Sequence, residues 1–202
     1  MKKIIALIVF TFLTNSALAQ TVNISDNVIK FIDHLGNKII SIAAEKQTSE
    51  SAKKQKIIAE IDRVIDTAWI GHFVLGKNYK DASEAQRTRF IELYRQFMIN
   101  TYGPKFKNYN GKSFNVISVD QQGGLYVAKC NFWPKDSTTA INVQFRVKER
   151  NGKLAVLDFV TEGISLIETQ RSEFNSAIAQ NGMDKFLTNL ETRVTQLKAQ
   201  NK

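Results

Sequence analysis

The sequence predicts an α+β fold in which helices cover a curved antiparallel sheet of about four strands. Two observations carry this prediction. Apolar residues recur every three or four positions before residue 103 and again after residue 170, a spacing typical of amphipathic helices. Between residues 114 and 160 they alternate with polar residues instead, as in strands with one buried face. No repeat or linker interrupts the pattern, so we expect a single domain over residues 20–202.

The N-terminal segment has the layout of a secretory signal peptide. Lys2 and Lys3 precede an uncharged apolar stretch that ends at Leu13, and the small-residue triplet Ala17-Leu18-Ala19 follows. The stretch is shorter than the roughly 20 residues that span a bilayer as a helix. The cleavage point also lacks the cysteine that a lipid anchor requires. We therefore expect cleavage after Ala19 and a soluble mature protein in the periplasm.

Three helices are predicted before the strands, over residues 22–44, 50–68 and about 81–103. Asp81 followed three positions later by Glu84 has the form of a helix start, and Gly103-Pro104 ends the third helix. This helix has one broad apolar face, formed by Phe90, Leu93, Tyr94, Phe97, Met98 and Tyr102.

The strands are predicted around residues 114–116 and over 125–133, 141–147 and 154–160. The third is the clearest, because every second residue from Ile141 to Val147 is apolar. Asn151-Gly152 predicts a tight hairpin into the fourth strand, so the sheet should be an antiparallel meander. Two helices should follow, over residues 171–180 and from Asp184 onward, separated by Gly182.

Several function classes have little support. Two histidines, His34 and His72, and one cysteine lack the spacing of a zinc site, so we expect no metal. Cys130 lies within a predicted strand, where a buried, inert thiol is commoner than a nucleophile. The formal net charge of +9 suits an anionic surface. An exported protein rarely meets nucleic acid, however, and no nucleic-acid-binding motif is present.

Asp158 is notable because it interrupts an apolar strand, and a buried carboxylate needs a partner. Two interpretations are open. Asp158 could be a general base in an isomerase-like pocket, or it could be a structural hydrogen-bonding group that fixes the loop 162–165. Arg171 could pair with Asp158 or face a phosphate, and the sequence does not decide between these roles.

Two groups of segments resemble the MlaC (toluene-tolerance) family, the periplasmic component of the Mla system for outer-membrane lipid asymmetry. The first group, in chain order, is DTAWIGHFVLG (66–76), QRTRF (86–90) and TY (101–102). The second group is VLDFVTEGISLI (156–167), QRSEF (170–174) and GMD (182–184). The sequence departs from the family pattern at Leu154, where an aromatic residue is expected, and at Thr169-Gln170, where Asn-Tyr is expected.

The resemblance implies a fold similar to the nuclear-transport-factor-2 (NTF2-like) superfamily with additional helices. It also implies a non-enzymatic phospholipid carrier that needs no cofactor and shuttles lipid between the two membranes, with the tails inside and the headgroup exposed. The implied partners are an inner-membrane ABC transporter complex and an outer-membrane lipoprotein–porin complex, with transient contact at the membrane surface. Two alternatives stay open: a periplasmic chaperone or carrier of lipoproteins, and an isomerase or dehydratase that uses Asp158 with His72 or a tyrosine.

Under the carrier hypothesis, the apolar faces of the sheet and its covering helices should line a cavity for the lipid tails. The candidate lipid-binding residues are Leu75, Phe97, Tyr102, Val116, Val127, Ile141, Val143, Phe145, Val147, Val156, Ile164, Leu166 and Phe174. Asp158 and Arg171 are candidates for a structural role or for a position close to the headgroup.

Overall fold

The computed structural model describes residues 15–103 and 111–201, with side chains from Ile24 to Gly103 and from Ser113 to Asn201. Residues 1–14, which hold most of the predicted signal peptide, lie outside the described residues. The first helix, α1, spans Asn15–Ala43 and so includes the predicted cleavage position. Cleavage after Ala19 therefore stays a prediction.

Four further helices precede the sheet: α2 (Glu50–Val64), α3 (Thr67–Leu75), α4 (Asn78–Asp81) and α5 (Glu84–Tyr102). The prediction of one continuous helix over residues 50–68 was wrong. Ile65 has an extended backbone and forms an isolated β-bridge with Val156. The Asp66 side chain then accepts a 3.0 Å hydrogen bond from the Trp69 amide and so caps a new helix.

The start of α5 also differs from the prediction. Asp81 ends α4 and does not cap α5. The N-cap is Ser83, whose hydroxyl accepts a hydrogen bond from the Gln86 amide, while the Gln86 side chain accepts one from the Ser83 amide. This reciprocal capping box satisfies two backbone donors that the first helical turn leaves unpaired.

The sheet comprises β1 (Gly111–Gln122), β2 (Leu125–Pro134), β3 (Ile141–Arg150), β4 (Lys153–Thr161) and the two-residue β5 (Ile164–Ser165). All neighbouring strands are antiparallel, in the order β1-β2-β3-β4-β5. The predicted α+β meander is therefore confirmed, with β5 as an addition. The predicted hairpin at Asn151-Gly152 is also present, and both residues have the positive φ angles, 53° and 75°, that a tight β-hairpin turn requires.

Two helices, α6 (Leu166–Asn181) and α7 (Met183–Gln200), complete the chain. α6 begins five residues earlier than predicted because the Ser165 hydroxyl caps it, accepting a 3.1 Å hydrogen bond from the Glu168 amide. Asp184 does not cap α7, since its carboxylate accepts a hydrogen bond from the Gln86 side chain instead. None of the helices in the described residues is long and apolar enough to cross a membrane.

Two clusters of buried apolar side chains hold the domain together. The sheet cluster lies between α1, α2 and one face of the sheet: Val28, Ile32, Leu35, Ile39, Ile42, Ile57, Phe114, Tyr126, Ala128, Cys130, Phe132, Val143, Val147 and Val156. The helical cluster joins α3, α5, α6 and α7: Ile70, Val74, Leu75, Phe90, Leu93, Tyr94, Ile167, Phe174, Ile178, Phe186, Leu187 and Leu190.

Candidate functional site

A cavity of about 320 Å³ lies where the two clusters meet. Its walls come from α1, α2, α3, α5, the sheet and the start of α6. The lining residues are mostly apolar: Leu35, Gly36, Ile39, Ile40, Ile58, Ile61, Asp62, Val64, Ile65, Thr67, Ile70, Tyr94, Arg95, Met98, Ile99, Tyr102, Gly103, Phe114, Phe132, Phe145, Val156, Phe159 and Leu166. Such a space suits a ligand that is itself largely apolar.

Four of the residues predicted to bind lipid line this cavity, namely Tyr102, Phe145, Val156 and Leu166. Three others on helices do not. Leu75 and Phe174 are buried in the helical cluster, and Phe97 packs against the Phe174 ring. These three side chains fill the helical interior because α3, α5 and α6 pack directly on one another.

The sheet residues that were predicted to bind lipid also differ in where they lie. Val116, Val143 and Val147 lie on the predicted inner face, but they pack in the sheet cluster and do not line the cavity. Val127 pairs with Arg146, the neighbour of Phe145 in β3, so it lies on the face of the sheet opposite the cavity.

Two isoleucines predicted to bind lipid also lie outside the cavity. Ile141 and Ile164 are 42% and 62% exposed and do not line the cavity. Ile141 is the first residue of β3 and Ile164 begins the two-residue β5, so both lie where a strand starts. Strand alternation indicates which face a side chain occupies, but it does not show whether another element covers that position.

Sequence reasoning missed the contributions of α1 and α2 to the cavity. Leu35, Ile39 and Ile40 line it from α1, and Ile58 and Ile61 line it from α2. The three- and four-residue spacing of these side chains was visible in the sequence and indicated an apolar helix face. Nothing in that spacing showed that the face borders an empty space.

A buried polar network lies beside the cavity, on the side of the helical cluster. The Tyr94 hydroxyl donates a hydrogen bond to Gln170 Oε1, and Gln170 Nε2 donates to the Tyr102 hydroxyl over 3.4 Å. Burial raises the pKa of both tyrosines above their ordinary value. Both hydroxyls are therefore neutral at physiological pH, and the network adds no charge to the wall.

Asp158 is buried at the junction of β4, β5 and α6 and does not line the cavity. Its carboxylate accepts hydrogen bonds from the Ser165 hydroxyl (2.6 Å), the Phe159 amide (2.9 Å) and the Ile167 amide (3.2 Å). Arg146 Nη1 lies 3.4 Å from the carboxylate. Burial raises the pKa of Asp158, while these hydrogen bonds act in the opposite direction. The contacts favour the structural interpretation, since they fix the 162–165 loop and the start of α6.

Arg171 holds the end of α3 and does not line the cavity. Its guanidinium donates a hydrogen bond to the Phe73 carbonyl and lies over the Phe73 ring, 4.7 Å from the ring centroid. Gly76, which has a positive φ of 56°, passes so close that an added Cβ would lie 2.8 Å from the guanidinium. These contacts fit the predicted structural role of Arg171, while they show neither pairing with Asp158 nor a position at the cavity.

The other reactive side chains also do not line the cavity. Cys130 is buried in the sheet, and burial raises the pKa of its thiol to about 12, so the thiolate is scarce at neutral pH. The exposed His72 packs against the Tyr79 ring, with a centroid distance of 4.2 Å. Among the described residues, no cluster of three or more histidine, cysteine or carboxylate side chains could hold a metal ion.

The chain is 23% identical, over 136 residues, to the intermembrane phospholipid transport system binding protein MlaC of Haemophilus influenzae. The match covers 65% of this chain and 64% of that protein, which is less than two thirds of its length.

The fold is similar to that of a phospholipid-binding protein from Ralstonia solanacearum, solved in complex with a phospholipid. The TM-score is 0.66, the sequence identity is 17%, and the match covers 90% of this chain and 97% of that one. At this identity the likeness concerns the fold alone. The model of the MlaC protein family matches residues 33–192, which is most of the chain, and the protein therefore belongs to the MlaC family.

Proposed function

We propose that this protein is a non-enzymatic phospholipid carrier that holds acyl tails in the cavity between the sheet and the helices. The observation that carries the proposal is the cavity itself, whose volume of about 320 Å³ is enclosed by mostly apolar side chains. Ligand sites of this kind bury most of the surface of an apolar molecule. The Haemophilus relative is named as a phospholipid transport protein and the Ralstonia protein was solved with phospholipid, and both facts support this ligand class.

The energetics suit a shuttle. Burying one methylene group is worth about 0.8 kcal/mol, so two acyl chains of ordinary length could not cross an aqueous space without a carrier. A bilayer buries the same methylenes equally well. Exchange between carrier and membrane therefore runs close to balance, and net transport needs a partner that supplies a direction.

We place this activity in the periplasm, with the signal peptide cleaved after Ala19. The proposed partners are an inner-membrane Mla-type ABC transporter complex and an outer-membrane lipoprotein–porin complex, as the family resemblance implies. The isomerase alternative has less support, because neither Asp158 nor His72 is among the described residues that line the cavity.

The direct test is organic extraction of protein purified under native conditions, followed by mass spectrometry. We expect about one diacyl phospholipid per chain, as one cavity of this kind predicts. Delipidated protein should reload from phospholipid vesicles. Repeated preparations without lipid that also fail to reload would contradict the carrier function. Recovery of acylated protein in place of free lipid would favour the lipoprotein alternative.

A further inference from the structure

The cavity reaches solvent at a rim formed by α2 and α5. Two of its lining residues, Asp62 of α2 and Arg95 of α5, have side chains that are 30% and 48% exposed, respectively. The Arg95 guanidinium donates a hydrogen bond to the Asp62 carboxylate. Among the described residues that line the cavity, these two are the only ones that carry a formal charge. The single charged pair therefore lies where the apolar interior meets water.

Contacts at the other end of the rim fix the relative direction of the two helices. An added Cβ on Gly103, which follows α5, would lie 3.5 Å from Lys54 Cε and 3.7 Å from Ile58 Cδ1. The start of α2 thus faces the end of α5, while Asp62, near the end of α2, faces Arg95. The helices run antiparallel along the rim. Eight residues of helix separate Lys54 from Asp62, about 12 Å, so Arg95 occupies one defined end of the opening.

We propose, on the basis of the carrier function above, that Arg95 binds the phosphate group of the lipid headgroup while the tails occupy the cavity. A guanidinium presents five N–H donors, so Arg95 can keep its contact with Asp62 and still donate to a phosphate. Its planar fork matches the geometry of phosphate oxygens. The ion pair with Asp62 holds this fork at the edge of the apolar space, where the polar end of an amphipathic lipid emerges.

The same ion pair could instead act only as a latch that holds α2 against α5. The two roles make opposite predictions. Arg95→Gln and Asp62→Asn both break the pair, so a latch predicts that both variants change lipid loading in the same direction. A phosphate site predicts that Arg95→Gln weakens headgroup recognition. It also predicts that Asp62→Asn strengthens it, because the carboxylate that repels the phosphate is removed.

The experiment measures headgroup preference within one sample. Delipidated protein is incubated with phosphatidylglycerol vesicles that contain a minor fraction of diacylglycerol with identical acyl chains. The bound lipids are then extracted, and their ratio is compared with the ratio in the vesicles. Because diacylglycerol has the same tails and no phosphate, tail binding cancels in this ratio. Differences in how strongly each variant contacts the charged vesicle cancel as well.

We expect Arg95→Gln to lower the phosphatidylglycerol preference by about fivefold, the size of one exposed charged contact, and Asp62→Asn to raise it. Arg95→Lys, which keeps the charge, should retain part of the preference. The matched control is Arg89→Gln: Arg89 lies on the same helix, is 44% exposed and pairs with Glu191 over 2.6 Å, but does not line the cavity. This control should leave the preference unchanged.

Each outcome decides between the hypotheses. The phosphate site would be overturned if the two rim variants shifted the preference in the same direction. It would also be overturned if Arg95→Gln still loaded lipid with an unchanged preference. Either result would leave the carrier function standing. Wild type that takes up neither lipid would overturn both. Inorganic phosphate should lower the preference no more than sodium chloride of equal ionic strength. Binding of inorganic phosphate to wild type, together with a phosphatidylglycerol preference that Arg95→Gln leaves unchanged, would identify a free-anion site and contradict a headgroup site.

Discussion

The helical cluster and the sheet cluster are both apolar, yet the cavity takes more of its lining from the sheet cluster and the residues packed against it than from the helical cluster. In the helical cluster, aromatic rings contact one another in series: the ring centroids of Phe90 and Tyr94 are 5.4 Å apart, and those of Phe174 and Phe186 are 5.2 Å apart. Phe90 also contacts both Phe174 and Phe186. Apolar composition alone therefore does not determine whether an interior is solid or hollow.

The difference follows from how closely the elements approach each other. α1 packs tightly on β1 at Gly36, where an added Cβ would lie 2.2 Å from the Phe114 ring. The other wall is looser, because α2 has one fully buried residue, Ile57, and contributes Ile58 and Ile61 to the cavity lining. α1 is held close to the sheet at Gly36, whereas α2 lies farther from the sheet, and the space left beside α2 is the cavity.

The largest expected effect comes from removing a ring from the solid region. Phe90→Ala should lower the free energy of unfolding by about 3–5 kcal/mol, since Phe90 is fully buried and its removal leaves a cavity among packed aromatic rings. Phe159→Ala is the matched variant, because its ring is half-buried and lines the existing cavity. Denaturant titration should show a clearly smaller loss for Phe159→Ala. Equal losses would mean that the two interiors are packed alike.

A middle-sized effect is expected from added volume. Val143→Trp should cost about 1–3 kcal/mol, because Val143 is buried in the sheet cluster away from the cavity. Ile61→Trp places the same ring where the cavity offers space, so delipidated protein should stay close to wild-type stability while lipid uptake from vesicles falls. Thermal unfolding and uptake of labelled lipid measure the two properties separately. A destabilised Ile61→Trp protein that loads lipid normally would show that α2 does not form a cavity wall.

The smallest expected effect concerns Asp158, which lies on the sheet face opposite the cavity and joins β4 to α6. Burial raises its pKa in the folded state, so the stability it contributes is complete below the ordinary aspartate pKa and is lost as the pH rises through the folded value. The stability advantage of wild type over Asp158→Asn should therefore decrease from acidic to neutral pH in denaturant titrations.

A second variant sharpens the test of Asp158. Ser165→Ala removes a hydrogen bond that lowers the pKa of Asp158, so the decrease in stability should move to higher pH. A stability difference between wild type and Asp158→Asn that increases with pH would mean that the hydrogen bonds outweigh burial and that the folded pKa is lowered.

The sequence by itself determined the general order of helices, antiparallel meander and helices, the hairpin at Asn151-Gly152 and the family, because periodicity, turn residues and local motifs are properties of short segments. It also placed Phe145 and Val156 on the face of the sheet that lines the cavity. Local alternation failed at Val127, where three successive residues of β2 are buried and either face could have been the inner one.

Only the tertiary structure decided where the interior is empty and which charged groups border it. Leu75 and Phe174 have the same apolar character as Ile58 and Ile61, yet the first pair fills the helical cluster and the second lines the cavity. Arg95 faces the cavity rim, whereas Arg171, selected from the sequence, caps α3. The physical reason is that periodicity reports which face of an element is apolar, whereas a cavity depends on the distance between faces that lie far apart in the chain.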